Sequence, residues 1–214
     1  MITPKALIFD LDGLLVDSEP IWFEVEGGFL AEFGHIWTIE EAHACMGQGT
    51  PNTLRIWKQR YGIPVDIPRD TERIIDRMIA RAHEMPLKTG AIQLLEHARQ
   101  QRCPMAVASS SPQKLISSVL AAKQIDSFFR AIVSGQDVPC SKPAPDVFLR
   151  AAECLDIDPA YCVVLEDTLA GTRAGIAAGM RVAAVPSSNP HEIASLATWV
   201  LRDLKQAIDV LFGS

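Results

Sequence analysis

The sequence predicts an α/β fold, a doubly wound parallel sheet with an inserted α-helical cap, and three observations predict it. First, short apolar runs alternate with amphipathic stretches along most of the 214 residues, as strand–helix–strand units do. Second, two of those runs end directly in acid, at Asp10 and at Glu166-Asp167. Carboxylates at the carboxyl ends of strands sit where open α/β sheets bind ligands. Third, residues from about 15 to 85 interrupt the alternation with helical patterns and no convincing strand.

Taken in order, Ala6-Leu7-Ile8-Phe9 is a short apolar run bounded by turn signals, which reads as a buried parallel strand with its body at 7–9. Gly13 lets the chain turn sharply beyond Asp10 and Asp12. In the interrupting segment, helical patterns break at Gly34, at 47–51 and at 61–68. Trp22, Val25, Phe29 and Phe33 form one apolar stripe. Ile74, Ile75, Met78, Ile79, Ala82 and Met85 form another, with Glu72, Arg73, Asp76, Arg77 and Arg81 away from it. Such stripes are the core faces of a small helical bundle. The implied division is a Rossmann-like core of residues 1–14 and 87–214 and a cap of residues 15–86, hinged at 14–16 and 86–89.

After the cap, Ala91, Leu94, Leu95 and Ala98 follow helical spacing, with Thr89 or Gly90 near the start. Further strands are expected at 105–108, 131–133, 162–165, 182–185 and 199–201. Gly171, Gly175 and Gly179 recur every four residues and suit close helix–sheet packing, while the helix N-terminus at Thr168 offers a dipole favourable to phosphate.

Composition limits the function classes. Hydrophobic residues make up 48% and charged residues 21%, the proportions of an ordinary soluble globular protein. A net charge of −6 with no long basic run argues against nucleic acid as the main partner, and the cap itself carries 12 acidic against 7 basic residues. No stretch resembles a signal peptide or reaches the roughly 20 apolar residues that span a bilayer, so no membrane partner is expected. Cys45, Cys103, Cys140, Cys154 and Cys162 are odd in number and lack metal-site spacing. They read as reduced thiols of a cytoplasmic, monomeric protein, with Cys162 in a core strand.

Four segments carry chemistry: Asp10-Leu11-Asp12-Gly13, Ser109-Ser110-Ser111 after an apolar run, Ser141-Lys142-Pro143-Ala144-Pro145-Asp146, and Glu166-Asp167-Thr168 after another apolar run. Each alone has a plain structural reading: an acidic turn, a helix cap, a solvated lysine, an N-cap. Together they supply what phosphoryl transfer needs. Two close carboxylates repel and stay ionised only beside a cation or other donors. That suits Mg²⁺-assisted attack by one carboxylate while the other handles protons. Asp10 and Asp167 can give Mg²⁺ its oxygen ligands, and Lys142 and Ser109 can answer the phosphoryl oxygens facing away from it.

In this series the chain resembles the haloacid dehalogenase superfamily. It is most similar to the branch with a small helical cap, which includes β-phosphoglucomutase and many sugar-phosphate phosphatases. The stretches ALIFDLDGLLVDSEP, VASSS, SKPAPDVF and VVLEDTLAGTRAGIAAGM carry the resemblance, which covers essentially the whole chain. It implies that Asp10 is the nucleophile forming an aspartyl-phosphate and that Asp12 is the general acid/base, its carbonyl also a metal ligand. It implies that Ser109 holds the transferring phosphoryl group, with Ser110 and Ser111 beside it on the substrate side, and that Lys142 is its charge partner. Glu166 and Asp167 complete the implied Mg²⁺ site.

The implied activity is hydrolysis of a small phosphorylated metabolite, a sugar phosphate in the first instance. Where the mutase carries a cap arginine for a second phosphate, Gly47-Gln48-Gly49-Thr50 offers only neutral polar groups, and its cap histidine position is Trp22. Phosphatase is therefore preferred over mutase, with a non-catalytic phosphate-ester-binding protein as the remaining alternative. Asp12 argues against the dehalogenases and the phosphonate hydrolases, both of which lack it, and Lys58 is the one cap lysine. The leaving group must then be selected by the cap, and by position the candidates are Glu19, Trp22, Gln48 and Thr50. Trp22 reads either as a flat wall for the substrate or as a core residue of the cap.

Overall fold

The computed structural model describes residues 4–45, 49–187 and 190–213. Strand β1 (Ala6–Phe9) is followed by helices α1 (Glu19–Ala31), α2 (Ile39–Cys45), α3 (Thr50–Tyr61) and α4 (Ile67–Ala80). The alternating part then runs α5 (Ala91–Gln100), β2 (Met105–Ser109), α6 (Gln113–Ala122), β3 (Ala131–Ser134), α7 (Asp146–Leu155) and β4 (Cys162–Glu166). It ends with α8 (Leu169–Ala177), β5 (Arg181–Ala184), α9 (Pro190–Leu196), β6 (Trp199–Val200) and α10 (Gln206–Phe212). Every strand expected from the sequence is present, displaced by no more than a residue or so at either end.

All strand pairs are parallel, in the order β3-β2-β1-β4-β5-β6. β1 is central, and the strand order reverses across it, between β2 on one side and β4 on the other. The crevice at such a switch point is where doubly wound sheets bind ligands. Period-two alternation divides the core between the two faces. Leu7, Phe9, Val107 and Leu165 face a large cluster that includes Leu94, Leu115 and Val119. Ala6, Ile8, Ala106, Ala108 and Val164 face a smaller cluster with Val147, Phe148 and Ala174. The alanines on the second face let helices come close, and a side chain at Gly175 would lie 2.8 Å from Val182.

Among α1 to α4, Val25 and Phe29 meet Trp57, with the rings of Phe29 and Trp57 stacked at 6.0 Å and that of Trp37 edge-on to Trp57 at 5.0 Å. Helix α4 is started by Asp66, whose carboxylate accepts from the Arg69 N–H at 2.9 Å. Its stripe holds as burial but not as one helix. Ile74, Ile75 and Met78 lie on α4, whereas Ala82 and Met85 are buried beyond its end, on a 3₁₀ turn and on an extended residue ahead of Pro86. Proline disfavours helix at the residue before it, and the chain turns back there. Thr50 and Pro51, expected as a break, form the first turn of α3. Proline is tolerated there because the N–H it lacks has no helical partner.

The two connections between α1–α4 and the sheet pair with each other. Val16 bridges Leu87 in antiparallel register, the Asp17 N–H donates to the Pro86 carbonyl at 2.9 Å, and the Lys88 N–H donates to the Leu15 carbonyl at 2.9 Å. On the far side Lys114 of α6 pairs with Glu72 and, at 2.9 Å, with Asp76, both on α4. All five cysteines are free. Cys45, Cys103 and Cys162 are buried, the last opening β4, and Cys140 and Cys154 are exposed. No helix among the described residues is long and apolar enough to cross a membrane.

Candidate active site

The carboxyl end of β1 carries the chain straight into the site. The Asp10 N–H continues the sheet by donating to the Leu165 carbonyl at 3.0 Å, so the carboxylate is fixed by backbone pairing. Lys142 Nζ lies 2.5 Å from Asp10 Oδ1 and 2.7 Å from Glu166 Oε1, above the Phe148 ring. All three side chains are almost wholly buried. Burial alone would drive the ammonium neutral, but the two carboxylates more than reverse this and hold Lys142 above its ordinary range. Asp10 is pushed up to about 7, chiefly by burial, with Glu166 and Asp12 adding to the shift and Lys142 opposing it.

Glu166, expected at the metal, is held by four donors. Its Oε2 accepts from the N–H groups of Asp167 and Thr168, each at 2.8 Å, and from the Thr168 hydroxyl at 2.9 Å, while Oε1 is taken by Lys142. The start of α8, expected to favour phosphate, is thus occupied by this carboxylate. Gly171 makes room for it, since a Cβ there would fall 1.7 Å from Glu166 Oε1. Glu166 thus holds Lys142 and the turn after β4.

Asp167 is different. Ser187 donates to its Oδ2 at 2.8 Å, but Oδ1 is buried without a partner. Burial, then Glu166 and Asp10, raise its pKa well above the ordinary carboxylate value. Gly13, at φ +80°, allows its approach, because a Cβ there would lie 2.3 Å from Asp167 Oδ2. An unpaired buried oxygen among buried acids that raise one another's pKa fits a hard divalent cation at Asp10 and Asp167. Among the described residues no three His, Cys, Asp or Glu side chains already close round a point. Mg²⁺ takes one or two carboxylates, with phosphate oxygens and waters completing its shell.

Asp12 is held by donors from two directions. Ser111 Oγ at 2.7 Å and Ser109 Oγ at 3.4 Å reach its Oδ2 from the end of β2. Ser18 Oγ at 2.7 Å and the Trp22 indole N–H at 3.3 Å reach Oδ1 from the start of α1. Trp22 is therefore neither simply a wall nor a core residue, but a donor to Asp12. Ser134 fixes the serine turn by donating to the Ser111 carbonyl at 2.7 Å.

The structure gathers Asp10, Asp12, Ser109, Ser111, Lys142, Glu166, Asp167 and Trp22 at one mouth. Ser110 is half-buried, its backbone against Gly135. Glu19 is exposed at the head of α1, and Thr50 is buried at the head of α3. Gln48 lies outside the described residues. Sequence reasoning missed Ser18, Ser134 and Ser187 as supports. Ser134 and Ser187 had a usable signal, each a hydroxyl just past an expected strand end.

Comparison with known proteins shows the family. Residues 7–185 match the family model for haloacid dehalogenase-like hydrolases. The chain is 35% identical to hexitol phosphatase B of Escherichia coli K12, over 96% of this chain and 94% of that protein. It is 31% identical to a probable pseudouridine-5'-phosphatase of Drosophila melanogaster, over 96% and 92%. The crystal structure of CbbY from Rhodobacter sphaeroides in complex with phosphate superposes with a TM-score of 0.85 at 25% identity, covering 95% of this chain and 96% of that one.

Proposed function

The chain belongs to the haloacid dehalogenase-like hydrolases, and from that premise we propose that it is a Mg²⁺-dependent phosphatase of small sugar or sugar-alcohol phosphates, working through an aspartyl-phosphate. The single observation carrying the reading is the buried arrangement of Asp10 against Lys142, with Asp167 unpaired beside it. Residues 1–14 and 87–214 form the catalytic core, and residues 15–86 form the cap that selects the leaving group.

Asp10 attacks phosphorus, and Lys142 and Ser109 hold the equatorial oxygens in line with it. Asp12 gives a proton to the departing oxygen as the P–O bond breaks. It then takes a proton from the water that attacks the aspartyl-phosphate, which releases phosphate and restores Asp10. Asp10 and Asp167 hold the Mg²⁺, which neutralises charge on the transferring group when bound. Proton transfer contributes typically about 10²–10⁴-fold, so the fixed charges of this site must supply much of the remaining rate.

A mutase must grip a second phosphate with a free cation. Among the described cap cations, Arg60, Arg69, Arg73, Arg77 and Arg81 pair with carboxylates, whereas Arg55 and Lys58 meet only neutral oxygens, of Asn52 at 2.6 Å and of the Val65 carbonyl at 3.2 Å. Neither cation stands at Gly47-Gln48-Gly49-Thr50, where the mutase carries its arginine, and this supports hydrolysis over the mutase reaction.

The test is phosphate release from a panel of sugar, sugar-alcohol and aryl phosphates, with Mg²⁺ and with chelator. Turnover that needs the metal is expected, with a sugar-alcohol phosphate among the better substrates. Absence of turnover with Mg²⁺ on every ester would refute the reading.

A further inference from the structure

Helix α1 carries a titratable group, Glu26, one turn beyond the tryptophan that reaches the site. Glu26 follows Trp22 by four residues and so lies on the same face, about 6 Å further along the helix axis. It stands beside Cys45 at the end of α2, whose thiol is pushed up by burial and then by the Glu26 charge, and Thr53 of α3 hydrogen-bonds that thiol. Two neighbouring acids are paired, Glu24 of α1 with Arg81 at 2.7 Å and Glu32, just past the helix, with Arg73 at 2.8 Å. Glu26 is half-buried, has no hydrogen-bond or ion-pair partner among the described residues, and burial pushes its carboxyl up to about 7. A half-buried carboxyl without a protein partner keeps its hydrogen-bonding capacity for a ligand.

Resting on the phosphatase reading above, we propose that Glu26 is a specificity residue that hydrogen-bonds a distal hydroxyl of the substrate's leaving group. Trp22 contacts Asp12, and Asp12 must touch the leaving oxygen. A chain attached to that oxygen and running along α1 passes Trp22 and meets Glu26 after about 6 Å, the reach of a polyol of several carbons. A two- or three-carbon leaving group stops short. A carboxyl group, with two oxygens, matches the vicinal hydroxyls of a polyol.

The experiment compares the wild type with Glu26→Ala, Glu26→Gln and Glu26→Leu on sorbitol 6-phosphate, glycerol phosphate and p-nitrophenyl phosphate. Glu26→Ala is expected to raise KM for sorbitol 6-phosphate roughly ten- to hundredfold with kcat little changed, and to leave the other two esters within about twofold. Glu26→Gln should restore part of the loss, and Glu26→Leu should show the same selectivity at an unchanged or higher Tm. Equal losses on all three esters, or none on sorbitol 6-phosphate, overturn the role of Glu26 alone. A wild type that hydrolyses the aryl ester but neither polyol ester overturns the substrate class, and this inference with it.

Discussion

At the strand ends, Lys142 is clasped by Asp10 at 2.5 Å and Glu166 at 2.7 Å, and Glu166 itself accepts three further hydrogen bonds. Across the mouth, α1 gives Asp12 one indole N–H at 3.3 Å and leaves Glu26 with no partner among the described residues. The two regions are built on opposite principles. Where charge develops on the phosphoryl group, polar groups are fixed beforehand by backbone pairing and burial, which is what electrostatic stabilisation requires. On the reading proposed above, the Glu26 carboxyl beside α1 is left for the substrate's leaving group. Only Asp12 belongs to both, tied to the sheet by Ser109 and Ser111 and to α1 by Ser18 and Trp22.

The comparison breaks most sharply at Asp10. Asp10→Asn should keep the fold, since the Asp10 backbone bond to Leu165 survives, and lose turnover by roughly 10⁴-fold or more. Near-normal phosphate release by that variant would end the nucleophile assignment. Asp12→Ala should slow a sugar phosphate by about 10²–10⁴-fold and an activated aryl phosphate much less, because a good leaving group needs little protonation. Equal losses on the two esters, measured as kcat, would deny Asp12 the acid role.

Within the rigid region, Asp167 and Glu166 should separate. Calorimetric titration with Mg²⁺ should show weakened binding for Asp167→Ala. Glu166→Ala should instead lower thermal stability, by about 1–3 kcal/mol for the buried donors it leaves unpaired. A Glu166→Ala protein of normal Tm with abolished metal affinity would return Glu166 to the metal. The smallest effect is expected at the junction of the regions. Trp22→Phe keeps the ring, removes its N–H from Asp12, and should cost about tenfold or less in kcat on alkyl phosphates while sparing the aryl ester. A uniform loss on both would make Trp22 a packing residue of the cap.

Much of this was legible in the chain because the elements concerned are local. Apolar runs ending in acid locate β1 and β4, and the loop after a parallel strand can leave only at the sheet's carboxyl edge, so Asp10, Ser109 and Glu166-Asp167 were bound to meet there. Motif residues on helices and long turns were harder to place. The stripe through Trp22, Val25, Phe29 and Phe33 treats the four alike, yet only Val25 and Phe29 are fully buried, and Trp22 turns to Asp12. Periodicity reports which face of a helix is inward, not which neighbour that face meets.

The sequence by itself determined the α/β class, the strand positions, the inserted helical segment and the identity of the acidic and basic groups at the strand ends, because each follows from short-range pattern and turn chemistry. Tertiary structure alone decided how those groups are shared. It turned Glu166 to Lys142 and the start of α8, left Asp167 Oδ1 open, brought Ser187 to Asp167, and set Ser18 and Trp22 on Asp12. Hydrogen-bond partners far apart in sequence are chosen by packing. A Cβ absent at Gly13 and Gly171 decides which carboxylate can approach, and no pattern of neighbouring letters encodes that distance.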